Sequence, residues 1–178
     1  MNLPILERMG VLDAVGEIGV LKFGADFSQP GDGGDYNVFY FAEALGDSPE
    51  HAFQVKRSDF DQVLIEHCRK VGVRVLEETR VIKCTSLKES VQIVETVDRG
   101  GNENTWQARF VIDASGRDTF FSSKNRWKRR NPRHASAAVY AHFRGVKRRP
   151  DKVSGYFSIY WFYKGWVLII PLDDELMS

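Results

Sequence analysis

A chain of 178 residues that is 43% hydrophobic and 28% charged reads as an ordinary globular unit, with no run near the roughly 18 apolar residues of a membrane helix. Its start, MNLPILERMG, lacks the basic stretch, apolar core and small-residue cleavage site of a signal peptide, so a cytoplasmic location is expected. Net charge is +1, yet residues 117–152 hold twelve Lys or Arg against two Asp, which leaves the remainder strongly acidic.

In chain order, residues 2–16 space Leu3, Leu6, Met9 or Gly10, and Leu12 or Val15 near helical periodicity, and Gly16 and Gly19 end that helix. VLKFGADF (20–27) alternates as a strand, and 28–37 is a turn-rich loop. The GxGG inside that loop has no apolar strand leading directly into it and no helix after it, which gives a phosphate loop little support. VFYFAEA (38–44) and HAFQV (51–55) are further strands.

A helix then opens at Ser58, with Asp61 three residues on in a capping-box arrangement. Phe60, Val63, Leu64, His67 and Val71 share one face, Arg69 and Lys70 suit the last turn, and Gly72 stops it. Strands are expected over 73–87 and 91–97, a hairpin turn over 98–104, and a returning strand over 105–115. The stretch Phe110-Val111-Ile112 is apolar on both faces, as in a parallel sheet covered on two sides. Ligands bind beyond the carboxyl ends of such strands, so Asp113 and Ser115 face a crevice and Gly116 lets backbone approach a ligand closely. Beyond Arg117, residues 135–146, 154–163 and 165–174 are aromatic-rich strands with no helix between them, predicting an antiparallel second sheet.

Several chemistries are excluded. Cys68 and Cys84 form no CxxC and read as reduced packing residues. The four His show no metal-ligand spacing, so no metal is expected. Ser115 lies in DASGR, which fails the GxSxG pattern at its first glycine. The basic cluster KNRWKRRNPR carries no nucleic-acid-binding signature and reads first as a solvated loop, so no nucleic-acid partner is expected.

Three motifs in order, FQVKRSDFDQVLIEHCRKVGVRVLEETRV, ARFVIDASGR and GWVLIIPLDD, give the chain a resemblance to the FAD-dependent monooxygenase superfamily. Within it the chain most resembles the flavin-dependent halogenases, tryptophan halogenases among them, with geranylgeranyl reductase-type flavoproteins as more distant relatives. The resemblance implies an α/β (α+β) fold: part of an FAD-binding, Rossmann-like three-layer domain with a β-meander, plus an antiparallel substrate-side sheet. It places the partial FAD-binding domain at 1–19 and 51–118 and the substrate sheet at 20–50 and 119–178. The GxGxxG unit with which such proteins open has no counterpart here, so the chain is read as a fragment, inactive by itself.

The resemblance further implies site residues. Lys22 matches the catalytic lysine of halogenases, where hypohalous acid, made by reduced FAD and oxygen from a halide, is aimed at an electron-rich carbon. Gln54, Arg57, Val81, Asp113 and Gly116 match cofactor-binding positions. Trp166, Leu168 and Pro171 fall on the substrate-pocket motif W-x-W-x-I-P, in which Leu168 replaces the second Trp. That departure leaves hydroxylation open beside halogenation. Implied partners are FAD, a flavin reductase supplying it reduced, a halide, and a small aromatic or otherwise electron-rich substrate. The alternatives are a geranylgeranyl reductase-type flavoprotein, or a truncated non-catalytic protein that binds a partner through its basic segment.

Overall fold

The computed structural model describes residues 3–28, 36–87, 91–129, 131–133, 136–149 and 153–178. The GxGG loop segment at 31–34 lies outside them. The chain forms two compact units, 1–74 with 139–178, and 75–138.

In the first unit the expected N-terminal helix is two, α1 (Leu3–Arg8) and α2 (Leu12–Glu17). The break falls at Gly10, whose φ of +71° is left-handed and suits glycine alone among common residues. This kink turns Leu3, Leu6, Val11 and Val15 into one buried cluster, whereas Met9 stays exposed. Phe53, Val55, Phe60, Val63 and Leu64 pack on that cluster. Each fully buried side chain of this kind contributes about 1.5–3 kcal/mol.

The strand expected over 20–27 is also two, β1 (Val20–Lys22) and β2 (Gly24–Ser28), which join different sheets. β1 pairs antiparallel with β4 (Ala52–Gln54), setting Lys22 opposite Ala52 and Val20 opposite Gln54. β3 (Asn37–Tyr40) stops short of the expected 44, because Phe41–Glu43 coils into a 3₁₀ turn.

Helix α3 (Arg57–Lys70) begins one residue before the expected cap. Lys56 is the N-cap and no side chain bonds the exposed amides; Ser58 lies inside the helix with its hydroxyl on Asp59. Asp61 therefore does not close a capping box: it accepts from Arg57 Nε at 2.7 Å, an (i, i+4) pair. Val71 is exposed rather than part of the packed face, since the helix has already ended.

The antiparallel second sheet is corrected in one respect. It is mixed: the strands at 165–169 and 157–162 are followed in order by β2 and β3. β9 (Phe157–Phe162) and β10 (Gly165–Ile169) form the expected antiparallel hairpin, but β9 runs parallel to β2. The strand predicted over 135–146 shrinks to β8 (Phe143–Arg144), paired with β11 (Leu176–Met177).

The second unit is the meander β5 (Arg80–Leu87), β6 (Val91–Val97) and β7 (Glu103–Ala108), antiparallel throughout. Residues 73–79 are not strand, and β7 ends at Ala108 instead of continuing to Ser115. Phe110 and Ile112 are exposed, at 86% and 88%. No described strand lies alongside 109–115 to satisfy that backbone, so the ribbon expected at the heart of a sheet stays irregular. Gly116–Asp118 form a 3₁₀ turn before the short helix α4 (Phe120–Lys124).

Candidate functional site

Within 75–138, a cavity of about 750 Å³ opens between the meander and the segment that follows it. Val81, Ile82, Val94, Val111 and Ile112 give it apolar walls, and Asp113, Ser115 and Lys124 supply polar groups. Two predicted site residues, Val81 and Asp113, thus share one hollow; Gly116 follows immediately with φ +61°.

The Asp113 carboxylate is held firmly. Its Oδ1 accepts from Ser115 N at 3.1 Å and from Ser115 Oγ at 2.5 Å, and its Oδ2 accepts from Phe121 N at 2.8 Å. Ser115 Oγ also accepts from Phe120 N at 3.0 Å. The DAS turn therefore caps α4 by satisfying two of its free amides. These bonds, the Ser115 hydroxyl foremost, then Phe121 N, hold the Asp113 carboxyl below the usual aspartate range. Lys124 Nζ donates to Ile82 O at 3.2 Å, fixing the far wall.

In the first unit Lys22 lies between aromatic rings. Its Nζ stands 4.2 Å from the centre of the Phe157 ring and 5.8 Å from that of Phe41. Burial lowers its pKa from the ordinary lysine value, because a half-enclosed ammonium loses hydration. Gln54 is buried at 5% exposure, and its Nε2 donates to Gly155 O at 2.7 Å and Pro171 O at 3.3 Å. Two further predicted residues, Gln54 and Pro171, are so joined. Arg57 is an exposed partner of Asp61. Trp166 is 70% exposed opposite Trp161, and Leu168 faces Ile159 across the β9–β10 hairpin.

Sequence reasoning missed a buried charge pair. Asp26 is fully buried on β2, with Arg149 Nη2 3.1 Å from its Oδ1 and Ser158 Oγ donating to its Oδ2 at 2.6 Å. Arg149 Nη2 also reaches Ser28 Oγ at 3.0 Å and Tyr160 Oη at 3.2 Å, and the guanidinium stacks 4.0 Å over Tyr36. No local signal marked it, because alternation in VLKFGADF sets Asp26 in phase with Lys22 and out of phase with Leu21, Phe23 and Phe27. Cys84, read as packing, forms no disulfide and lines the same cavity as Val81 and Asp113. Among the described residues no helix is long and apolar enough to cross a membrane.

The family model for tryptophan halogenase matches residues 37–178. The flavin-dependent halogenase armH4 of Armillaria mellea is 29% identical over 145 residues, covering 75% of this chain and 27% of that protein. A tryptophan 2-halogenase of Chondromyces crocatus is 28% identical over 131 residues, 72% of this chain and 25% of its own length. Among solved structures, the myxobacterial chondrochloren halogenase CndH, a variant of FAD-dependent halogenases, superposes with a TM-score of 0.78 at 28% identity, over 98% of this chain and 40% of that one. The flavin-dependent halogenase CmlS gives a TM-score of 0.78 at 27% identity, over 99% and 32%. Fold and sequence agree on a class of mixed α/β flavoprotein-like chains. The chain belongs to the tryptophan halogenase family, and it spans less than half the length of these relatives.

Proposed function

We propose that these residues belong to an FAD-dependent, halogenase-like oxidoreductase that uses reduced FAD, dioxygen and a halide on an electron-rich organic substrate. The observation carrying this reading is Lys22, half-buried against Phe157 with its pKa lowered, in a chain matched by the halogenase family.

When bound, reduced FAD supplies the electrons and the oxygen activation that convert halide to hypohalous acid. The residues present fit such a cofactor. The walls Val81, Ile82, Val94, Val111 and Ile112 suit a flat heteroaromatic ring, and Asp113 Oδ2 retains a lone pair for a ribose-type hydroxyl. Gly116 offers backbone without a Cβ beside that cavity; in the first unit, taken by itself, Gln54 braces the Gly155 turn and Arg57 carries an exposed guanidinium.

Lys22 acts on the oxidant. As an ammonium it donates hydrogen bonds to hypohalous acid; as a neutral amine it attacks the halogen, forming N–X while O–X breaks and the departing hydroxide takes a proton. The amine route gains from the lowered pKa, which increases the neutral fraction at a given pH, and the ammonium route gains from poor hydration, which strengthens its electrostatic contacts. The mixed sheet carrying Trp166 and Leu168, with Pro171 just beyond the end of β10, is assigned to the substrate side, within 20–50 and 119–178.

The test uses the complete protein with reduced FAD, bromide or chloride, and a panel of phenols, indoles and pyrroles. Lys22→Ala should remove halogenated product, by a factor of about 100 or more, while flavin reoxidation continues. Product formation unchanged in Lys22→Ala rules out the lysine's role; oxygen-independent substrate reduction rules out the halogenase reading.

A further inference from the structure

A second cavity, of about 300 Å³, lies in the first unit and uses none of the residues assigned above except Pro171. Three consecutive cations, Lys147, Arg148 and Arg149, line it, together with the hydroxyl-bearing Tyr156 and Ser158; among the described residues no carboxylate does.

The two arginines differ in what they bond. Arg149 is satisfied by the buried Asp26, Ser28 and Tyr160. Arg148 is not. Among the described residues its Nη1 reaches Asp174, 4.0 Å away on a carboxylate that is wholly exposed. Its Nη2 is buried and has no hydrogen-bond partner among the described residues. A guanidinium donor stripped of water and given no acceptor is costly, and a carboxylate or phosphate is the acceptor that its planar fork matches. Asp26 does not serve: its oxygens accept from Arg149 and Ser158, and Arg148 Nη2 finds no partner among the described residues.

We propose that this cavity is an anion-binding site, in which Arg148 Nη2 donates to a small oxyanion, a carboxylate or phosphate group. Lys147 adds charge beside it. Tyr156, whose pKa is raised by burial and then by the neighbouring Tyr40, stays a neutral hydroxyl able to donate. The volume sits at the lower end of the roughly 300–1,000 Å³ of ligand pockets, which admits an anionic group with a few attached atoms and excludes a dinucleotide.

Calorimetric titration of the 178-residue chain with sodium acetate, inorganic phosphate and, at matched ionic strength, sodium chloride tests this. Saturable 1:1 binding of acetate or phosphate is expected, weakened about tenfold or more in Arg148→Gln and unchanged in Asp174→Asn. Preference for acetate identifies a carboxylate-bearing ligand, and preference for phosphate a phosphorylated one. A response no greater than that to chloride overturns the proposal, as does Arg148→Gln binding at full strength. Should that variant fail to fold, Arg148→Lys, which keeps the charge but loses the fork, must still weaken binding, and unweakened binding there is equally fatal.

Discussion

Lys22 is a lysine whose setting works against its own charge. Half-burial near Phe157 removes hydration that the ring face only partly replaces, and the pKa falls below its ordinary value. The linkage follows in sign: burial disfavours the protonated form, so Lys22 costs stability at neutral pH, and that cost fades as pH rises through its folded pKa toward the unfolded one. After reductive methylation with ¹³C, the Lys22 resonance should titrate below the ordinary lysine value of about 10.4. Titration at that ordinary value would show the ammonium to be fully hydrated. The carboxylates point the other way. Asp173 is held at about 2 by Lys56 first and then by the amides of Glu175 and Leu176, so its contribution is present above about pH 4 and is lost as pH falls toward 2.

At the scale of elements, what was legible in the sequence was local. The β6–β7 hairpin reads from alternation and the DRGG turn, where Asp98 accepts from Asn102 N at 2.9 Å, and α3 reads from its apolar spacing and the glycine beyond it. What was illegible depended on partners far along the chain. Nothing in VLKFGADF says that Phe23 separates two strands, one bound to β4 and the other parallel to β9. Equally, a segment as apolar as Phe110–Ile112 meets every local criterion for a strand and fails for want of a neighbour. Lys22, Gln54 and Asp113 were recognisable as motif residues, yet the Asp26–Arg149 pair, 123 residues apart, was not. One of these distant contacts can be tested directly. A Cβ on Gly155 would stand 2.3 Å from Leu21 O, a backbone atom of the strand that carries Lys22. Gly155→Ala should cost about 1–3 kcal/mol in urea unfolding, because one of the two backbones must retreat. Gly165→Ala meets only the Phe162 ring at 3.4 Å and should stay within about 0.5 kcal/mol. Equal effects in the two variants would remove the close approach as the cause.

For the whole molecule, stability is unevenly distributed. The buried hydrophobic side chains, Leu3, Leu6, Val11, Val15, Ala25, Ala52, Tyr156, Leu172 and Met177, all belong to the unit 1–74 with 139–178. Among the described residues of 75–138, Thr96 is buried but no hydrophobic residue is. That meander holds together by its backbone ladder and by contacts such as Trp106 Nε1 donating to Thr96 Oγ1 at 2.9 Å. A three-stranded sheet without a covered apolar face has little to resist local opening. Hydrogen exchange read by mass spectrometry should therefore find amides of 80–108 exchanging well ahead of those in α3, although ladder hydrogen bonds protect both. Equal protection would mean that the meander has a source of stability other than burial. Adding FAD or ADP extends the comparison to the proposed cofactor site. Ligand that fills the cavity lined by Val81 and Asp113 must slow exchange at 80–84 and 111–124, and leave α1 and α2 as they were. Slowing spread evenly over the chain would signal general stabilisation, and no slowing at all would leave the cavity without a cofactor role.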